Sequence, residues 1–138
     1  YEPGCTVYGQ DFSQRMIELA KVKMPKAELY QGDFTKGLVE KLKQNRYDAI
    51  VATYSLHHLT DAQKVVFIEN LRPLLNDGGK IYIGDVAFPN RVQMEACRAD
   101  AGDEWDGDEI YFVVDELQAR FPQMRFEPLS YCSGVLTL

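Results

Sequence analysis

The sequence has few cysteines and no long hydrophobic run, and each absence excludes a class of protein. The three cysteines, Cys5, Cys97 and Cys132, have no CxxC spacing and leave an odd thiol if two of them pair. Neither a disulfide framework nor a cysteine-bound metal is therefore predicted. No apolar run approaches the roughly 18 residues of a transmembrane helix, and the first residues lack the pattern of a signal peptide. We expect a soluble, cytoplasmic protein without a membrane partner.

Positive charge is also scarce. The net charge is −6, and residues 95–116 include nine carboxylates but a single arginine. This segment repels a nucleic acid, and no basic stripe elsewhere offsets the repulsion, so a nucleic-acid partner is not expected. The simplest interpretation of the segment is a solvated acidic face.

What is present is an ordinary globular composition. A chain of 138 residues with 46% hydrophobic residues suits one domain with one core. Short apolar runs alternate with helical patterns, which predicts an α/β fold with a doubly wound, mostly parallel sheet. The segments 125–129 and 135–138 predict a closing antiparallel hairpin at the C-terminus.

Continuous apolar runs predict strands at 5–9, 27–30, 47–53 and 80–86, and helical periodicity predicts helices at about 13–24, 37–44, 60–75, 91–99 and 114–120. The strand at 47–53 shows no alternation, which favours a strand covered on both faces. Thr60 and Gln63 have the spacing of a capping box for the third helix, which is expected to end before the turn at 76–79. Its buried stripe is predicted as Val65, Val66, Ile68, Leu71 and Leu74.

The functional residues are expected where the strands end. In open α/β sheets, ligands bind beyond the carboxyl ends of the strands. The polar residues that follow the predicted strands are Asp11, Asp33, the segment 54–58 and Asp85. These positions are therefore the candidates for a binding or catalytic site.

Four segments resemble, in the same order and spacing, motifs of class I S-adenosylmethionine-dependent methyltransferases. They are VYGQDFS at 7–13 followed by Met16, Ile17 and Ala20, QGDF at 31–34, YDAIVATYSLHHL at 47–59, and LRPLLNDGGKIYIGD at 71–85. The resemblance implies a Rossmann-like sheet, S-adenosylmethionine as the cofactor, and transfer of its methyl group to an acceptor.

The resemblance also assigns a cofactor site. Asp11 would accept hydrogen bonds from both ribose hydroxyls, because a carboxylate offers several lone pairs, and Asp33 would accept from the adenine amino group. The other cofactor-binding residues in this assignment are Phe12, Phe34, Thr53 and Tyr54. Alternatives remain for three positions: Asp11 caps the next helix beside Ser13, Asp33 only forms a turn, and Phe12 is a core residue.

His57 and His58 are the only histidines, and they follow the strand at 47–53, where methyl donor and acceptor are expected to meet. Imidazole accepts protons near neutral pH, so His58 and His57 are the candidate catalytic residues. The alternative is that they only pack and bond to the backbone. Adjacent side chains diverge and no third ligand has a recognisable spacing, so no metal site is predicted. Asp85 and Tyr111 are further candidates for the acceptor pocket.

The acceptor is predicted to be a small molecule. The sequence contains neither the Pro-Cys motif nor the Asn/Asp-Pro-Pro-aromatic motif associated with methylation of cytosine carbon or of nucleic-acid amines. Transfer from a sulfonium depends mainly on alignment of the reacting atoms, which contributes roughly 7–11 kcal/mol. The absence of an obvious nucleophilic side chain therefore does not argue against a methyltransferase.

One part of the family pattern is not found. The family begins with a strand and a GxGxG-like loop that holds the methionine half of the cofactor, and neither precedes residue 7 here. Residues 1–138 are therefore expected to form a single, N-terminally incomplete methyltransferase-like domain. The strands at 5–9 and 47–53 would then have unpaired edges, which predicts strand exchange in a homo-oligomer or another strand partner.

Two other functions remain open from the sequence. The first is a non-catalytic Rossmann-like module, or a pseudo-enzyme that a partner completes. The second is a fragment of a nicotinamide-dependent dehydrogenase, since Asp11 suits the ribose of that cofactor equally well. The segments 31–34 and 47–59 have no counterpart role in a dehydrogenase, which favours the methyltransferase.

Overall fold

Strands and helices alternate along residues 4–138, which are the residues that the computed structural model describes. The strands are β1 (Tyr8–Asp11), β2 (Glu28–Gln31), β3 (Tyr47–Thr53), β4 (Leu75–Phe88), β5 (Phe112–Val113), β6 (Arg125–Pro128) and β7 (Ser133–Thr137). The helices are α1 (Gln14–Lys23), α2 (Glu40–Lys43), α3 (Asp61–Leu71), α4 (Arg91–Ala101) and α5 (Val114–Arg120). Single 3-10 turns lie at Phe34–Lys36, Leu56–His58, Arg72–Leu74 and Gly102–Glu104. The predicted α/β succession is confirmed.

The first of two compact units ends at Arg46 and is built on β1, α1 and β2. β1 and β2 pair in parallel, with Asp11 opposite Gln31. Ser13 caps α1, as predicted: its hydroxyl accepts from the Met16 N–H at 3.3 Å. Both strands therefore end at the same edge of this small sheet.

The first predicted strand is displaced along the chain. It was expected at 5–9, but β1 begins only at Tyr8. β2 begins at Glu28, opposite Tyr8, so Cys5 and Thr6 have no β2 residue beside them with which to pair. The β-forming composition of 5–7 is thus overridden by the length of the neighbouring strand.

The helix predicted at 37–44 is also wrong in extent, because only the short α2 forms there. Gln10 holds the preceding segment in an extended loop. Its Nε2 donates to the Gly37 carbonyl at 3.1 Å, and its Oε1 accepts from the Val39 N–H at 2.8 Å. Gly37 also has a φ of 97°, which a helix does not contain. A long-range side-chain contact therefore delays the helix.

The second unit, Tyr47–Leu138, contains a sheet of order β3-β4-β7-β6, with β5 paired to β4. β3 and β4 are parallel, with Thr53 opposite Gly84. β7 runs antiparallel to both β4 and β6, which confirms the predicted C-terminal hairpin. The two-residue strand β5 was not predicted, and it lies parallel to the end of β4. The fully buried hydrophobic side chains of this unit include Ile68, Ile81, Ile83, Phe88 and Leu136.

β3 does not have the two covered faces that its apolar sequence predicts. Ile50 and Ala52 are partly buried, whereas Val51 is 66% exposed. Among residues 4–138, β3 pairs with β4 alone and its other edge has no strand neighbour. The continuous apolar sequence of β3 is compatible with burial of both faces of the strand. It does not identify the element that would cover the face of Val51.

α3 begins as predicted and buries a different stripe. The capping box is confirmed: the Gln63 N–H donates to the Thr60 hydroxyl at 3.3 Å, and the Gln63 side chain accepts from the Thr60 N–H at 2.9 Å. Ile68 and Leu71 are buried as predicted, but Val66 is 54% exposed and Lys64 is almost completely buried. The polar face therefore contributes a lysine to the interior.

The turn residues 76–79 lie inside β4 and do not end α3 as predicted. The helix stops earlier, at Leu71, and Pro73 lies in the 3-10 turn that follows. Gly78 has a φ of 78°, and the pairing register with β3 shifts at this segment, so residues 76–79 form a bulge in a longer strand.

None of the helices in residues 4–138 has the length and apolar character that spanning a bilayer requires.

Candidate functional site

Asp11 is the last residue of β1, and only one of its two carboxylate oxygens accepts a hydrogen bond from residues 4–138. Its Oδ1 accepts from the Ser13 N–H at 2.7 Å. Ser13, and not Asp11, caps α1. No hydrogen bond joins Oδ2 of Asp11 to another residue in the range 4–138, so this oxygen at the end of the strand has no donor there.

Both carboxylate oxygens of Asp33 contact residues of the turn that follows it, unlike those of Asp11. Its Oδ1 accepts from the Thr35 N–H at 3.0 Å and also from the Thr35 hydroxyl, and its Oδ2 lies 3.6 Å from the Lys36 ammonium. The Thr35 hydroxyl and N–H, together with Lys36, lower the pKa of Asp33. The turn-forming alternative describes this geometry well, and Oδ2 is the oxygen that makes no hydrogen bond to Thr35.

The two aromatic candidates of the first unit differ in exposure. Phe12 is 62% exposed and is not a core residue, whereas Phe34 is partly buried. Gly32 allows the Val39 side chain to pack closely against the main chain, because a Cβ at position 32 would lie 2.7 Å from Val39 Cγ1. The four candidates lie at or just after the paired ends of β1 and β2: Asp11, Phe12, Asp33 and Phe34.

At the end of β3, Tyr54 has a strained backbone. Its φ is 46°, in the left-handed region that non-glycine residues seldom adopt. Its N–H donates to the Gly84 carbonyl at 2.9 Å, which holds the strand end against β4. Thr53 and Tyr54 are both exposed. Strain of this kind is concentrated at functional sites.

Asp85 is the centre of the arrangement at this edge. It is 2% exposed and lies in β4, one residue beyond the residue that faces the end of β3. Its Oδ2 accepts from the N–H groups of Ser55 and Leu56 at 3.2 and 3.1 Å, and its Oδ1 accepts from the Val86 N–H at 2.9 Å. The same Oδ1 lies 2.7 Å from Nδ1 of His57. A carboxylate is the state that accepts from all four donors.

His57 connects Asp85 to a residue far along the chain. The imidazole is buried, and its Nδ1 faces Asp85, so a proton on Nδ1 satisfies that hydrogen bond. The other ring nitrogen, Nε2, lies 3.4 Å from Oε1 of Glu109. The His57 carbonyl also accepts from the Ile110 N–H at 2.8 Å. The imidazole of His57 therefore links the carboxyl groups of Asp85 and Glu109, one at each ring nitrogen.

His58 has a different environment from its neighbour. It is exposed, and its ring centroid lies 4.3 Å from that of His57. No carboxylate within the described residues forms an ion pair with it. Of the two candidate catalytic histidines, His57 is thus the one whose orientation is fixed.

Lys64 anchors the segment that carries Glu109. Its ammonium donates to the carbonyls of Ile110 and Tyr111 and to Oδ1 of Asp61, the last at 3.2 Å, and lies 4.7 Å from the centre of the Phe112 ring. Burial lowers the pKa of Lys64, although Asp61 opposes this effect. A buried ammonium with several acceptors fixes the main chain beside Glu109.

Tyr111 forms the aromatic side of the same region. Burial and the neighbouring Glu109 carboxylate raise the pKa of Tyr111 to about 12, so its phenol stays protonated at neutral pH. Trp105 lies edge-on to Tyr111, with ring centroids 4.9 Å apart, and both rings pack near the buried Phe88. Tyr111 was predicted from the sequence as a pocket residue, and it lies beside Glu109.

Glu109 and Lys64 were missed by the sequence analysis. Glu109 is one of nine carboxylates in 95–116, and nothing in its spacing distinguishes it from the others. Lys64 lies on what helical periodicity marks as the polar face. One indication was available, because the Thr60–Gln63 capping box fixes the first turn of α3 and hence the position of Lys64 in it.

The family model and two of the relatives that match this sequence are all described as methyltransferases. Residues 1–81 match a family model described as a methyltransferase domain. A relative from Anoxybacillus flavithermus, named an uncharacterized methyltransferase, is 44% identical over 100 residues, which are 72% of this chain and 46% of its own. A relative from Bacillus mycoides with the same description is 44% identical over 89 residues, 64% of this chain and 40% of its own. The chain therefore spans less than half the length of these curated relatives.

Solved structures share the fold. The DhpI-SAM-HEP complex has a TM-score of 0.71 at 18% identity, over 96% of this chain and 67% of the other. The magnesium protoporphyrin IX methyltransferase of Synechocystis, with bound SAH, has a TM-score of 0.68 at 15% identity, over 97% of this chain and 64% of the other. At this identity the similarity establishes the architecture alone, which is the Rossmann-like α/β fold that the sequence predicts.

Proposed function

The chain belongs to the methyltransferase domain family, and on this premise we propose that the protein transfers a methyl group from S-adenosylmethionine to a small-molecule acceptor. The family predicted from the four sequence motifs is confirmed. The strongest support for the activity is the Asp85–His57 pair, in which a buried carboxylate fixes an imidazole at the edge where β3 and β4 end. Such an edge is where this class of sheet binds ligands.

The first unit offers groups that fit the adenosine part of the cofactor. Oδ2 of Asp11 accepts from no donor within residues 4–138 and suits the ribose hydroxyls, which are hydrogen-bond donors. Asp33 would offer Oδ2 to the adenine amino group, with Phe34 beside the ring. Phe12, exposed beside Asp11, is retained as a second aromatic contact. Both solved structures named above are titled as complexes with SAM or SAH, which supports this choice of cofactor.

The second unit would serve the acceptor. S-adenosylmethionine supplies a methyl group already activated on a sulfonium, so the protein needs to orient the acceptor and remove its proton. His57 would accept that proton at Nε2, while Asp85 keeps the Nδ1 proton in place and thereby fixes the tautomer. Thr53 and Tyr54 are retained as cofactor contacts at the same strand end. His58, which is exposed, is retained as the second catalytic candidate.

The activity is tested by measuring S-adenosylhomocysteine formed from S-adenosylmethionine with a panel of small acceptors bearing oxygen, nitrogen or sulfur nucleophiles. We expect acceptor-dependent product that His57→Asn abolishes and that Lys80→Ala, a change at an exposed residue of β4, leaves unchanged. Cofactor binding without turnover of any acceptor would instead support the pseudo-enzyme. Binding of a nicotinamide dinucleotide in its place would support the dehydrogenase.

Replacement of Asp11 by alanine is expected to weaken S-adenosylmethionine binding by about 1.5–3 kcal/mol, the range for hydrogen bonds to a charged group. The fold should survive, because only the turn bond to Ser13 is lost. Isothermal titration of the variant against S-adenosylmethionine measures the effect. Glu18→Ala, on the exposed face of α1, is the matched loss of a carboxylate and should bind normally. Equal affinities for the two variants would remove Asp11 from the site.

Two further expectations belong to this proposal. The three free cysteines support a reducing, cytoplasmic location. The edges of β1 and β3 that have no partner within residues 4–138 support pairing with a further strand, for which a second copy is one source. Analytical ultracentrifugation over a range of concentrations tests the homo-oligomer, which a concentration-independent monomer would contradict.

A further inference from the structure

We infer that the methyl acceptor carries an amino group, and that this group binds beside both Nε2 of His57 and Oε1 of Glu109. The inference deepens the proposed function and rests on it. Its basis is the 3.4 Å approach of those two atoms, which belong to residues more than fifty positions apart. Neither atom can satisfy the other unless a proton is supplied.

The identity of the ring proton follows from Asp85. Three backbone N–H groups donate to its two oxygens, which leaves its carboxylate an acceptor toward His57 as well. Nδ1 of His57 must then be the donor in the 2.7 Å contact. In the neutral ring the remaining nitrogen, Nε2, carries a lone pair and no proton. This nitrogen faces Oε1 of Glu109. A donor placed next to both atoms satisfies the pair.

Among the described residues, no lysine or arginine of the second unit forms an ion pair with Glu109. The Lys64 ammonium is occupied by two carbonyls and Asp61. Arg91 pairs with Glu116 at 2.6 Å, and Arg98 lies 3.9 Å from Glu95. The imidazole of His57 is the one basic side chain that Glu109 contacts there. A bound cationic group would supply the positive charge that no lysine or arginine brings to Glu109 in these contacts.

An amino group fits this place better than a hydroxyl or a thiol. A hydroxyl or thiol has one hydrogen to donate, whereas a protonated amine has three, enough for Nε2 and Oε1 together. Its charge also complements Glu109. The partly buried ring of Tyr111, which interacts with Glu109, and the ring of Trp105 next to Tyr111 suit an organic cation. The side chain of Glu109 is 26% exposed, so it can be reached from solvent.

The arrangement also accounts for the proton in the reaction. The bound ammonium gives one N–H proton to Nε2 of His57, which frees the nitrogen lone pair. The new N–C bond then forms as the C–S bond breaks, and the sulfonium becomes a neutral thioether. The product leaves as a methylated ammonium, and the proton held at Nε2 passes to solvent. Glu109 stabilises the imidazolium in the interval.

Trp105 is the only tryptophan and lies next to Tyr111, so its fluorescence reports binding without any need for turnover. The probes are phenethylamine, 2-phenylethanol and 3-phenylpropionate, which share an aromatic group and differ in charge. We expect saturable quenching by the amine, weaker binding of the alcohol and none of the carboxylate. Equal responses to the amine and the alcohol, or no response to the amine at millimolar concentration, would overturn the inference.

Glu109→Gln keeps the shape of the side chain and removes its charge. It should weaken binding of phenethylamine about 10- to 100-fold and leave that of 2-phenylethanol within about twofold. Asp108→Asn removes an exposed charge one residue away and serves as the matched control, with an expected change of less than about threefold. Equal losses in both variants would overturn the inference, since they would indicate general attraction by the acidic segment.

The two proposals fail separately. Titration with S-adenosylmethionine tests the proposed function in the same protein preparations, and Glu109→Gln should leave that affinity unchanged. Normal cofactor binding with no preference for the amine would reject the amino-group inference alone. Absence of cofactor binding would reject the methyltransferase, whatever the tryptophan signal shows.

Discussion

Asp85→Asn is expected to lose about 2–4 kcal/mol of folding stability and to reduce turnover by roughly 10²- to 10⁴-fold. The carboxylate accepts from four donors, two on each oxygen. An asparagine has a single oxygen, so in either orientation its NH₂ group faces two former donors. Buried N–H groups without an acceptor each cost about 1–3 kcal/mol.

The orientation of the new amide decides which function is lost. If the amide oxygen faces Ser55 and Leu56, the NH₂ group faces His57, whose Nδ1 must then become the acceptor. The proton moves to Nε2, and the atom that would receive the acceptor's proton no longer has a lone pair. If the amide turns the other way, the main chain after β3 loses both of its bonds to Asp85.

Urea unfolding and initial rates of S-adenosylhomocysteine formation measure the two effects. Asp77→Asn, a substitution at an exposed residue of the same strand, is the control and should match the wild type in both assays. His57→Asn should lose turnover with a smaller loss of stability, because the three backbone bonds to Asp85 remain. Wild-type turnover in Asp85→Asn at a temperature where it is folded would show that the pair is only structural.

Local signals in the sequence predicted local structure well. Ser13 and Thr60 begin their helices because each cap is decided by residues within one turn of it. The extent of β1 was not predictable in this way, since it depends on where β2 begins. The helix at 37–44 fails for the same reason, because a side chain in β1, that of Gln10, holds the loop before it.

The candidate site shows the same division between near and distant contacts. Asp85 and His57 were predicted because the ends of parallel strands lie at a common edge, and the structure joins them by a 2.7 Å contact. Glu109 reaches this edge only because 110–111 is bound to His57 and Lys64. No periodicity relates these segments, so the pattern of a single sequence gives no reason to choose Glu109 among its acidic neighbours.

Lys64 has an environment that makes its replacement costly. The stem of a buried lysine packs as a hydrophobic side chain, and the ammonium here donates to two main-chain carbonyls. Lys64→Ala removes both contributions and is expected to cost about 3–5 kcal/mol. Lys64→Met restores the volume without the charge, so it should recover the packing part and leave a loss of about 1–3 kcal/mol.

The position of Glu109 should respond to Lys64 even where stability does not. Without the ammonium, the carbonyls of Ile110 and Tyr111 lose their donor, and the segment keeps only the bond from the Ile110 N–H to His57 as a main-chain anchor at this point. Hydrogen exchange at Ile110 should therefore be faster in Lys64→Met than in Lys80→Ala, whose lysine is exposed on β4. Binding of phenethylamine should weaken in parallel, although no group that contacts the amine has been changed. Unaltered exchange and unaltered amine binding in Lys64→Met, with wild-type stability, would show that packing alone holds the segment and that the buried charge is dispensable.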